Sequence, residues 1–118
     1  MKADKKNLYE TVDFLSGLKP TRSFDNILSL DKAADYIKNK LTILKNLNVT
    51  EQTYEVQGAN IRNIRALYNS GKAERLIIGA HYDSESSSNT PGADDNASAV
   101  AGLLEIASML DQERPDID

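Results

Sequence analysis

The chain has 118 residues, 40% of them hydrophobic and 27% charged, with a formal net charge of −4. That fits one small domain with a single core, and the acidic balance excludes the basic field that draws nucleic acid or anionic membranes. Cysteine is absent, which excludes disulfides, thiolate nucleophiles and cysteine-held zinc.

The first element is an amphipathic helix over residues 4–18, where Leu8, Val12, Leu15 and Leu18 recur at helical spacing. Gly17 and Pro20 supply its stop signals. The early lysines (Lys2, Lys5, Lys6) read as a solvated end. No apolar run there makes a signal peptide, and none elsewhere is long enough to span a bilayer. The chain as written reads as cytoplasmic, or as secreted or periplasmic with its leader removed.

A second helix is expected over residues 31–47, on the spacing of Ala34, Ile37, Leu41, Leu44 and Leu47, with Ser29 or Asp31 as its cap. The period then shortens. Residues 49–57 and 61–69, rich in β-branched and aromatic side chains, read as a hairpin joined at Gly58-Ala59-Asn60. Asn69-Ser70-Gly71-Lys72 reads as a turn. The apolar run "RLIIGA", residues 75–80, has the pattern of a strand buried on both faces. Residues 97–110, apolar nearly all round, should form a buried helix. The order is that of an α/β domain.

Chemistry gathers between the last two elements. His81, the chain's one histidine, falls just past the carboxyl end of the expected strand, where open α/β sheets place ligands. On an extended backbone His81 and Asp83 point the same way. His-x-Asp is either a hydrogen-bonded surface pair or a metal ligand whose second nitrogen is held by a carboxylate. Pro91-Gly92-Ala93-Asp94-Asp95-Asn96 opens the final helix. It is either a turn with capping side chains or a turn that aims one aspartate at a metal. The intervening "SESSSNT" reads as a surface loop. Asp83, Glu85, Asp94 and Asp95 are hard oxygen donors suited to calcium, but the spacing of an EF-hand is absent. Phosphate-binding glycine motifs and a serine-hydrolase elbow are absent as well.

Taken together, Gly79-Ala80-His81-Tyr82-Asp83-Ser84 followed by Pro91 through Ser98 resembles the zinc aminopeptidase family, the two-zinc exopeptidases related to bacterial leucyl aminopeptidases. Arg62-Asn63-Ile64 is similar, more loosely, to an upstream strand of that family. The resemblance implies a mixed-sheet α/β/α zinc exopeptidase fold, of which residues 1–118 are an N-terminal portion, a single incomplete domain. It implies that His81 is a terminal ligand of one zinc, that Asp95 bridges two zincs, and that Asp83 orients His81 within the catalytic site. Asp94 stays a turn and cap residue, and a cis peptide is implied at Asp95–Asn96. Ala99 departs from the family's glycine.

The family's Glu-Glu pair, later aspartate and final histidine have no counterpart in residues 1–118. The expected function is therefore the N-terminal part of a zinc-dependent metallo-aminopeptidase acting on peptides, with the piece itself inactive and holding zinc weakly or not at all. The alternatives are a glutaminyl cyclase-like enzyme and a non-catalytic binding module of the same fold. An open sheet edge beside residues 76–80 invites self-association.

Overall fold

The computed structural model describes residues 2–86 and 90–114. Helix α1 is Lys5–Ser16, capped by Asp4, whose side chain accepts the Lys6 N–H, and closed at Gly17. Helix α2 is Ile27–Thr42, capped at Asn26. It begins earlier than the apolar spacing implies and also ends earlier. Asn26 explains the start: its amide donates to Thr21 O at 2.8 Å and to Ser23 Oγ at 3.1 Å, fixing the loop that feeds the helix. Leu44 and Leu47 lie beyond the last turn yet still pack on the core. Their periodicity reported burial rather than helix.

Strands β1 (Asn48–Val56) and β2 (Ala59–Leu67) pair antiparallel in register Val49↔Ala66, Glu51↔Ile64 and Thr53↔Arg62. The connection is the two-residue Gln57-Gly58, with φ of 49° and 82°, not Gly58-Ala59-Asn60. Two successive left-handed residues suit the twist of a tight hairpin, and glycine takes the second without a Cβ penalty. Val49, Ile64 and Ala66 turn one face of the hairpin to the core. At the far end of that face Arg62 meets Asp35 at 2.9 Å and Glu51 at 3.0 Å, and Glu51 meets Lys38 at 2.9 Å, which seats the hairpin on α2.

Helix α3 is Ser98–Glu113. Its buried side is Val100, Ala101, Leu104, Glu105 and Ala107, set against Leu15 of α1 and Ala33, Ile37 and Leu41 of α2. The expectation of burial all round is corrected: Ile106 is 41% exposed. Among the described residues no helix is long and apolar enough to cross a membrane.

The largest correction concerns residues 75–80. They form no strand, and Leu76, Ile77 and Ile78 are 83, 90 and 51% exposed. An apolar run becomes a strand through ladder bonds to neighbours, and among the described residues the sheet is the two-stranded hairpin. The buried strand and mixed sheet expected there are not observed. One parallel bridge, Ser23↔Ser84, forms just beyond the segment. The architecture is mixed α/β, three helices and a hairpin around one core, compatible with an N-terminal portion of the exopeptidase fold.

Candidate metal centre

Three backbone segments build the site. The first is the extended run from Ala80 to Ser84. Alternation along it sends Ala80 and Tyr82 to the core and leaves His81 and Asp83 on the open side. Tyr82 anchors the run from below, its hydroxyl donating to the Arg62 carbonyl of β2 at 2.7 Å. Burial pushes its phenol pKa up, so the hydroxyl keeps its proton and remains a donor.

The second segment is the turn Ala93–Ala97 that leads into α3. Gly92 enters it with φ 69°, and Ala97 N–H closes it on the Gly92 carbonyl at 3.1 Å. Asp95 and Asn96 depart from helical angles within it, and the Asp95–Asn96 peptide is cis. The cap position of α3 falls on Ala97, with no side-chain cap bond. The capping role expected for Asp94 is therefore not seen. Its carbonyl instead accepts the Ser98 hydroxyl at 2.9 Å. Asp94 and Asp95 separate: the first stays in the turn, and the second reaches the histidine.

The result is an imidazole between two carboxylates. His81 Nδ1 lies 3.0 Å from Asp83 Oδ1, and His81 Nε2 lies 3.1 Å from Asp95 Oδ1. All three side chains are more than half exposed, so the ring and both carboxylates are open to solvent. The donor set fits zinc: imidazole and carboxylate are both ordinary ligands, and two donors on one tetrahedral ion sit roughly 3.3 Å apart. Among the described residues no group of three or more histidine, cysteine or carboxylate side chains gathers around one metal position. Within the Ser-rich stretch, residues 87–89 lie outside the described residues.

The third segment carries the residue that sequence reasoning missed. Arg22, in the loop between α1 and α2, is 0% exposed. Its Nε donates to Tyr82 O at 2.7 Å, Nη1 to Pro91 O at 2.6 Å and to Leu15 O at 3.1 Å, and Nη2 to Gly92 O at 2.7 Å. Burial lowers the guanidinium pKa from its ordinary value, and the charges of Asp83 and Asp95 act against that drop. No local pattern marks Arg22, because its role depends on partners 60 to 70 positions away.

Residues 63–118 match the model of peptidase family M28, a stretch that contains His81, Asp83 and Asp95. The uncharacterized protein YfbL of Escherichia coli (strain K12) is 44% identical over 119 residues. That similarity takes in 96% of this chain and 36% of YfbL, so the chain spans about a third of its relative's length. No solved structure matches the chain. Both motifs, at residues 79–84 and 91–98, lie within the matched stretch, so residues 63–118 are similar to a peptidase family M28 domain.

Proposed function

We propose that this chain supplies the first metal ligands of a zinc-dependent aminopeptidase. The observation that carries the reading is the His81 imidazole, held by Asp83 on one nitrogen and facing Asp95 with the other. With Nδ1–H donated to Asp83, Nε2 presents its lone pair on the side of Asp95. His81 and Asp95 would hold the ion, with Asp83 fixing the tautomer and ring plane. Zinc, when bound there, supplies activation of water and polarisation of a carbonyl. The substrate in this reading is a peptide with a free amino terminus. The family match and the motif pair support peptidase chemistry, and the restriction to the first residue of the peptide is the finer part of the proposal.

Two donors place zinc affinity well below that of a complete four-ligand site. Because the chain has one histidine, its long-range ¹H–¹⁵N spectrum reports this imidazole alone. Zinc is expected to shift the Nε2 resonance of the wild type and to leave calorimetric heat that disappears in His81→Ala. An unmoved imidazole at millimolar zinc sinks the assignment of His81. Turnover of leucine p-nitroanilide by the longest form of the protein, lost in both His81→Ala and Asp95→Ala, is the expected activity result. Cleavage only within N-blocked peptides would rule out the aminopeptidase part.

A further inference from the structure

The His81 run and the turn that bears Asp95 are separate stretches of chain, and His81 and Asp95 meet across them at 3.1 Å. A direct bond between the stretches, from Asn96 Nδ2 to the His81 carbonyl, is 3.5 Å long. At that length it is weak. Something firmer must hold the two in register.

We infer that Arg22 is the positioning residue of this site, tying the loop of His81 to the turn of Asp95 through their backbone carbonyls while touching neither side chain. This rests on the metal-site reading above. The carbonyl that Nε grips belongs to Tyr82, between His81 and Asp83, and Nη1 and Nη2 grip Pro91 and Gly92, at the start of the Asp95 turn. The remaining bond, from Nη1 to Leu15 O, roots the guanidinium in the end of α1. A planar fork of five N–H donors can serve carbonyls in several directions at once, whereas a lysine ammonium has three donors on a flexible stem.

The surroundings show how closely the fork is fitted. A Cβ at Gly92 would stand 3.0 Å from Arg22 Nη2 and 3.1 Å from Ser84 Cβ. Arg22 also accepts, its carbonyl taking the Ser84 N–H at 3.0 Å. Both faces of the residue therefore hold the His81 run. Its bonded partners are neutral carbonyls, which satisfy the donors and leave the buried charge to be balanced by other groups. Asp83 and Asp95 are the charges that favour it.

The test uses the 118-residue chain in wild-type, Arg22→Lys and Arg22→Met forms, first without metal. Nuclear Overhauser contacts between the His81 ring and Asp95 or Asn96 are expected in the wild type and should vanish in both variants. Contacts between Leu15 and the α3 residues Val100 and Leu104 should persist. Zinc affinity, read from the His81 resonance, should fall at least tenfold in both, the range typical of losing a group that supports a metal ligand. Arg22→Lys keeps charge and stem, so its failure to rescue isolates the fork. Retained ring contacts and wild-type zinc affinity in Arg22→Met would overturn the inference. So would global unfolding of both variants, which would make Arg22 a support of the whole fold rather than of two loops. If zinc leaves the wild-type imidazole unmoved, the metal reading fails, and the metal-free contacts still decide the role of Arg22.

Discussion

Gly92 shows how one backbone conformation sets the site. Its φ of 69° is left-handed, and a Cβ there would approach Asp95 O to 2.7 Å as well as the Arg22 guanidinium. A left-handed L-residue costs roughly 1–2 kcal/mol before any clash. Gly92→Ala is therefore expected to lower unfolding stability by at least that amount, measured by urea denaturation. The loss should come with displacement of Asp95 from His81. Gly102 offers a contrast, lying within α3 with nothing within 4 Å of its would-be Cβ. There the same change should stabilise, by about 0.5–1 kcal/mol of helix propensity. Equal effects at the two positions would refute the close-fit account of Gly92.

The elements differ in how much the sequence revealed. Helix α1 and the hairpin were legible because their patterns are local: four apolar residues at helical spacing, and alternating runs around a glycine. The meeting of His81, Asp83 and Asp95 was implied only by the resemblance that their two ordered motifs carry, each motif alone leaving a bland reading open. Arg22 was not, since no pattern in "PTRSFDN" announces partners in loops far along the chain. The strand expected at residues 75–80 was misread because an apolar run states what a segment can bury, while its neighbours decide whether it does. The seating of the hairpin on α2 is likewise invisible in the sequence, and it predicts a pH effect. Hydrogen bonds from Lys38 and then Arg62 hold the Glu51 carboxyl below its ordinary pKa. A depressed carboxylate contributes stability that is full above its unfolded pKa and lost as pH falls through the folded value. Between pH 7 and roughly pH 3 the amide resonances of β1, β2 and α2 should lose their mutual contacts. Glu51→Gln should show a smaller change over that window. An identical acid response in the variant would remove Glu51 from the explanation.

At the scale of the whole molecule, the apolar segment that precedes the His81 run is left uncovered. Leu76 and Ile77 expose 83 and 90% of their surface, and Ile78 about half. Such an exposed apolar run is a candidate contact surface for another chain. Fully burying one such side chain gains roughly 1.5–3 kcal/mol, so covering the segment gains several kcal/mol from each chain. Much of that is offset by the rotational and translational freedom lost on association. The surplus supports a weak complex, on the order of a micromolar to millimolar dissociation constant. We therefore expect the isolated chain to self-associate through residues 75–80, with an apparent mass in sedimentation velocity that rises with concentration. Ile77→Lys should return it to a monomer, since a charge in the middle of the run must be desolvated at the interface. The substitution should leave the His81–Asp95 contacts unchanged, because Ile77 packs on neither loop. A monomer at millimolar concentration would show that the exposed run lacks the partner geometry to pair with itself. Self-association that survives Ile77→Lys would move the interface elsewhere, the exposed edges of β1 and β2 being next to test.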